Sequence, residues 1–402
     1  MKVLHLNITT FFANMDMLEA FEKYRDSDGN PLDIVKYDYK YNPDRVRDDP
    51  SFEDKFLNDL RKHCPDFVFS FNFLPVISKV CNREGVIYVS WIYDNPEIFL
   101  YNYNMRNPCN VVLMFDSKQY MEFRDGGIIN VYYMPLAAST KRLDAIIPSK
   151  EDKKRFSADI SFVGSLYTER KQYYEELTPK LDPYTLGYLD GIIRSQLQVD
   201  GVNFVEECLT HEITKKIQEA SNIYPYADSI ETLEYLYANY IINRQITIIE
   251  RKEILTLIGA YHPLKLYTYK QNNAFSPKGV CNMGPANYFT EMPVIFKLSK
   301  INLNITLRSI QHAIPLRVYD ILGSGGFLMS NYQHDLAYHF VPGVDFVYYE
   351  SRKDLLDKID YFLKNDKERI EIADNAHRKI QAEHTFDVRV KEILDIVSVK
   401  CK

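Results

Sequence analysis

Arg317 and Asp320 stand three residues apart in LRVYDIL (316–322), so both project from the same side of any helix that forms there. A guanidinium for phosphate and a carboxylate for sugar hydroxyls suit a nucleotide-sugar site. The same spacing equally lets the two side chains pair on a surface helix. Pro315 fits the first position of that helix, where its missing N–H costs nothing. The free N–H groups and positive dipole end behind it would meet an anion. Gly323, Gly325 and Gly326 close the helix in a tight turn, and Gly325 and Gly326 count among the donor-binding candidates. Gly164-Ser165 is a second candidate phosphate turn, because small residues between a strand and a helix let backbone amides come close. Arg170 and Lys171 lie about one helical turn beyond it, on what could equally be a solvated face. Asn302 and Asn304 share one face of the run INLNIT (301–306), and Arg308 follows. Polar groups facing a sheet interior are costly unless they bind something, whether a ligand or a structural partner.

In the first third of the chain, Asp94 in WIYDNP (91–96) is a candidate general base for an acceptor hydroxyl. Asp-Asn-Pro is also strong turn chemistry. Asn7, Thr9, Asn72 and Asn95 fall at other strand ends, where open α/β sheets bind ligands, and Asn7 and Asn72 are taken with Asp94 as acceptor-side residues. His211 and His262 carry no motif.

These residues need strands and helices in alternation. KVLHLNI (2–8), DIVKYDY (33–39), DFVFSF (66–71), VIYVSWI (86–92), NVVLMFD (110–116) and NVYYMPL (130–136) read as strands with amphipathic helices between them, so residues 1–140 form a doubly wound α/β domain. No G-x-G-x-x-G follows the first strand, which speaks against a dinucleotide site there. The polar stretch 141–157 reads as an interdomain linker. Residues 158–385 form the second domain, with 178–260 a helical subregion, and 386–402 a final helix.

The 402 residues suit two domains. A net charge of −6 leaves no footprint for nucleic acid or an anionic membrane. No apolar run reaches the ~20 residues of a membrane span, and MKVLHLNITTFF lacks a signal-peptide pattern. Six cysteines without C-x-x-C spacing fit reduced thiols and a cytoplasmic setting. No D-x-D or His/Cys cluster stands out, so no metal and no other cofactor is expected.

The segment YDILGSGGF, continuing through DLAYHFVPGVDFVYYESRKDLLDKIDYFL to AEHTFDVRV, resembles the C-terminal signature of bacterial CgeB-like (spore maturation protein) glycosyltransferases. PDFVFSFNFLPVISKVCNREGVIYVSWIYDNP, with MFDSKQYMEF and YYMPLAA, resembles the N-terminal domain often paired with it. The likeness implies a GT-B fold, two Rossmann-like domains facing across a cleft, with the final helix crossing back to the first. It implies a nucleoside diphosphate sugar donor, UDP-sugar favoured, bound by the second domain. It places Arg170 or Lys171 on the donor diphosphate and Gly284 to Asn287 against the base. The related retaining enzymes carry two glutamates separated by seven residues; His312 and Asp320 stand at those positions here. The substitution leaves the donor-sugar contact and retention of configuration open, with His312 a candidate for a donor phosphate or hydroxyl. The expectation is a metal-independent hexosyl- or N-acetylhexosaminyl-transferase acting on a protein or glycan. A nucleotide-sugar epimerase of the same fold, or a non-catalytic binding or scaffold protein, is the alternative.

Overall fold

Short apolar runs, each followed by an amphipathic stretch, become the strands of two parallel sheets. The computed structural model describes residues 1–8, 13–40, 42–169, 171–270 and 274–400. These divide into two compact units: Met1–Ser139 with Tyr226–Ile230 and Glu383–Lys402, and Thr140–Pro225 with Glu231–Ala382.

In the first unit, β1 (Lys2–Asn7), β2 (Asp33–Asp38), β3 (Phe67–Phe71), β4 (Ile87–Trp91), β5 (Asn110–Met114) and β6 (Val131–Tyr133) pair in the order β2-β1-β3-β4-β5-β6. Every pairing is parallel. The inner strands β3 and β5 are buried at every position, which is why they read as unbroken apolar runs rather than alternating ones. The helix Phe386–Lys400 belongs to this unit and buries Phe386, Val390, Ile393, Leu394 and Val397. Phe386 meets the ring of Trp91 edge-on at 6.0 Å, and Arg389 Nε donates to Pro135 O at 2.9 Å.

In the second unit, β7 (Ala158–Val163), β8 (Leu264–Tyr267), β9 (Val280–Gly284), β10 (Ser299–Asn304), β11 (Leu328–Asn331) and β12 (Val347–Tyr349) pair in the order β12-β11-β10-β7-β8-β9, again all parallel. Strand order reverses between β7 and β10. The crevice outside the carboxyl ends of these two strands is where such a sheet offers a ligand site.

Two expectations about organisation are corrected. The stretch 141–157 is helical rather than a linker: Thr140–Asp144 and Lys150–Phe156 form helices within the second unit. Ser149 and Asp152 make a reciprocal capping box that starts the second of these, a signal hidden among the charges. Lys297 Nζ donates to Leu143 O and Ile146 O at 2.8 and 2.7 Å, fixing the segment. The stretch 178–260 is not one helical subregion either. Its helices Pro183–Gln196, His211–Ala220 and Asn243–Tyr261 lie in the second unit, whereas Tyr226–Ile230 is part of the first. There Asp228 pairs with Arg47 at 2.7 Å, accepts from the Asn102 side chain, and takes Tyr103 N on its carbonyl at 3.1 Å. The Arg47 guanidinium lies 4.0 Å from the centre of the Tyr226 ring.

Candidate functional site

At the switch point of the second sheet, β7 runs out at Gly164, whose N–H makes a last bond to Tyr267 O at 3.0 Å. A Cβ at Gly164 would come within 3.2 Å of the Phe162 ring, so the chain turns there without a side chain. Ser165 Oγ accepts from Tyr167 N at 2.7 Å and bonds the Glu169 carboxylate, holding Tyr167 in the left-handed region at φ 59°. Beneath this turn lies Arg251, from the helix Asn243–Tyr261, a residue with no motif around it in the sequence. Its Nη1 donates to Ser165 O at 2.5 Å, its Nε to Ile305 O at 3.1 Å, and its Nη2 to the same carbonyl. The guanidinium also lies 5.3 Å from the Phe162 ring centre and 4.9 Å from that of Tyr167. One buried cation therefore ties together the carboxyl ends of β7 and β10. Burial holds its pKa below the ordinary arginine value, and Arg317 nearby pushes the same way.

Arg317 belongs to the helix Leu316–Gly323. Pro315 precedes that helix in extended backbone and makes no side-chain cap, so no capping side chain occupies the first-turn N–H groups. Arg317 lies over the Phe296 ring at 5.6 Å, and its Nη1 approaches Met292 Sδ at 3.5 Å and Asp320 Oδ2 at 3.4 Å. Its Nε and Nη2 meet no acceptor among the described residues. Asp320 is 6% exposed and accepts from Tyr288 Oη at 3.0 Å. The two side chains do pair, loosely, and half of the guanidinium stays available to an anion. Tyr288 lies just past the stretch Gly284 to Asn287. Asn287 itself serves a turn, accepting from Phe289 N and Thr290 N, both at 3.0 Å.

Several sequence candidates are spent on structure. Arg308, 8% exposed, gives its donors to Glu250, to Asp200 at 2.8 Å and to Val199 O at 2.9 Å, which leaves little for a donor sugar nucleotide. Asn304 donates to Thr306 Oγ1 at 3.0 Å and Ser330 Oγ at 2.9 Å, and Asn302 to Phe296 O at 3.0 Å and Phe327 O at 3.2 Å. Both are held by structural partners. Gly325 and Gly326 precede β11 and so sit at the amino edge of the sheet, opposite the switch-point crevice. Their N–H groups bond Leu322 O and Ile321 O at 3.0 Å in the helix C-cap. Gly325 has φ +74°, and a Cβ on Gly326 would lie 2.7 Å from Asn302 Nδ2. Both glycines have backbone reasons for being there. Lys171 pairs with Glu176 at 3.1 Å on the exposed surface. Arg170 and Thr9 lie outside the described residues.

His312 is half-buried, on the loop after β10. Its ring stacks on that of His334 with centroids 4.6 Å apart, and its carbonyl accepts from Asp335 N at 2.9 Å. The sequence offered no metal-ligand spacing, and a helix and a strand separate His312 from the other two residues.

In the first unit, the sheet order reverses between β1 and β3. Asn7 Nδ2, at the end of β1, donates to Asp38 Oδ1 at 2.7 Å. Asn72, in the left-handed region at φ 54° past β3, pins the loop after β4: its Nδ2 donates to Asp94 Oδ2 at 2.6 Å, and its Oδ1 accepts from Tyr93 N at 2.8 Å. Asp94 is exposed, and the Asn95-Pro96 peptide behind it is cis. Asn72 thus holds the Asp94 side chain in place. Close by in sequence is Glu97, which is buried and has no sequence motif to announce it. Burial, and then the Asp94 charge, push its carboxyl from 4.5 up to about 8. A raised acid binds its proton on folding, so the stability it contributes is complete below about pH 4.5 and is lost as pH climbs through about 8. We expect melting temperature to fall from pH 5 to pH 9 in the wild type and to fall less steeply in Glu97→Gln. The difference is at most ~1.4 kcal/mol per pH unit within the window. Parallel pH profiles would refute the buried, protonated Glu97.

Residues 249–395 match the family described as glycosyl transferase-like. No curated protein sequence matches the chain. Among solved structures, HepE from Anabaena in complex with UDP and glucose is similar at a TM-score of 0.54 and 10% identity, over 99% of this chain and 100% of that one. A glycosyltransferase from Rickettsia africae is similar at 0.53 and 10%, over 100% and 98%. Sucrose-phosphate synthase from Thermosynechococcus elongatus is similar at 0.53 and 8%, over 99% of both chains. At such identities the likeness concerns the fold. With its two parallel six-stranded sheets the chain has the GT-B fold, and its second half carries a stretch similar to the glycosyl transferase-like family.

Proposed function

We propose that this protein is a glycosyltransferase that takes a sugar from a nucleoside diphosphate sugar, with a UDP-sugar the favoured donor, and passes it to a protein or glycan, as the CgeB-like resemblance implies. One observation carries the reading. Arg317 holds half of its guanidinium open beside a helix start without a capping side chain, next to the Asp320–Tyr288 pair, within the segment that matches the family. In this reading Arg317 and the first-turn amides take the diphosphate as charge builds on the leaving group. The ribose hydroxyls exchange into the Tyr288–Asp320 hydrogen bond. The Gly164-Ser165 turn, braced by Arg251, forms the opposite wall. The first unit carries the acceptor, with Asp94 poised to receive its proton. Complexes of HepE with UDP and with UDP-glucose support the choice of nucleotide.

A thermal-shift series with UDP, GDP, ADP, CMP and TDP tests this. A ligand at a hundredfold excess over its dissociation constant adds about 2.7 kcal/mol of apparent stability. We expect UDP to raise the melting temperature of the wild type, and Arg317→Ala and Asp320→Ala to lose that rise. Equal rises in wild type and both variants would move the donor elsewhere. Sugar release from UDP-sugar without acceptor, together with a changed sugar configuration, would favour the epimerase alternative.

A further inference from the structure

Two adjacent parallel strands, β10 and β11, deliver three metal-binding side chains to the carboxyl edge of the second sheet. His312 comes from the loop after β10, and His334 and Asp335 open the helix His334–His339 after β11. One ligand atom from each lies within 4.8 Å of the others. The backbone fixes the arrangement, since Asp335 N donates to His312 O at 2.9 Å. His334 Nδ1 stands 3.3 Å from Asp335 Oδ1. The Asp335 side chain is 3% exposed and that of His334 53%, so the set has a buried anionic floor and one arm free to turn.

The two imidazoles stack at 25° between planes. A neutral imidazole presents a lone pair, and two of them with one carboxylate make an N2O donor set suited to zinc or cobalt rather than magnesium or calcium. Bonds of ~2.0–2.2 Å draw the ligand atoms closer together than they stand here. Rotation of the half-exposed His334 ring supplies that movement.

We propose that His312, His334 and Asp335 form a binding site for a first-row divalent transition metal ion. A metal ion competes with protons for such ligands, so uptake should weaken in acid.

Cobalt(II) titration of the full chain, with no nucleotide present, tests the site. We expect one visible-absorbing Co(II) per chain, displaced by an equivalent of zinc and not by millimolar magnesium. Outer-shell changes at such sites cost about 10–100-fold in affinity. Loss of a direct ligand in His334→Ala should weaken binding by at least about a hundredfold. The exposed thiols Cys64 and Cys281 could take up metal on their own account. A Cys64→Ser/Cys281→Ser variant should therefore keep the visible band, and no thiolate-to-cobalt charge-transfer band should appear. Equal binding by wild type and His334→Ala, or loss of the band in the cysteine variant, overturns the assignment. Absence of stoichiometric uptake by the wild type does so too. Since the assay contains no sugar nucleotide, its failure leaves the transferase reading untouched, and failure of the UDP shift leaves the metal site untouched.

Discussion

Arg308→Leu should lower the unfolding free energy by about 3–5 kcal/mol, the usual result of removing one partner from a buried ion pair. Arg308 bonds Glu250 through both Nε and Nη2, and the Glu250 carboxylate is 7% exposed. Burial raises the Glu250 pKa, and Arg308 is the largest influence pulling it back down. Without the arginine, Glu250 would either take up a proton or keep an uncompensated charge, and Val199 O and Asp200 would lose their donor as well. Urea unfolding at neutral pH measures the loss. The double variant Arg308→Leu/Glu250→Leu should recover a large part of it, because an apolar pair of similar volume removes the desolvation cost. A residue that served the donor instead would behave differently: its loss would abolish the UDP-dependent shift while the unliganded protein unfolded at the same urea concentration.

The second large effect is expected at Gly279. Its backbone has φ +79°, and a Cβ there would lie 1.9 Å from Gly259 O. Gly259 faces it from the helix Asn243–Tyr261, where a Cβ would be 2.6 Å from Lys278 O. Two glycines thus let the helix that carries Arg251 settle onto the turn before β9. Gly279→Ala adds a left-handed backbone penalty to an overlap with backbone that has no room to yield, for a loss of about 4 kcal/mol. If it melts within ~2 °C of the wild type, the close approach of the two glycines is wrong. Gly29, also left-handed but with nothing near its missing Cβ, serves as the control, and Gly29→Ala should show the backbone term alone.

What could be read in the sequence was what local pattern encodes. Strands buried on both faces, such as β3 and β5, announce themselves as apolar runs, whereas β9, VCNMG, has alternating burial and a polar residue at its centre and gives no such signal. The parallel direction follows from the alternation of strands with helices, whereas the pairing order is set by contacts between strands far apart in sequence. The Arg317–Asp320 pair was visible because both side chains lie on one helix. Arg251 was not, because its importance comes from reaching two strand ends far away in sequence, Ser165 and Ile305. His334 and Asp335 escaped for the same reason. Arg308, Asn304, Gly325 and Gly326 have structural partners that the sequence does not reveal. Polar or glycine-rich positions near a strand end satisfy the chain's own carbonyls and caps as readily as a ligand's phosphates, and composition does not say which.

The first unit draws on three separate stretches of chain, the last of them Glu383–Lys402. During synthesis its six strands leave the ribosome long before that helix does. At about 5–20 residues per second the wait is on the order of tens of seconds. Throughout it, the surface that the Phe386, Val390, Ile393 and Leu394 side chains will cover stays wet and adhesive. The first unit is therefore exposed for that whole interval, and its yield in a cell should depend on chaperone supply more than its final stability suggests.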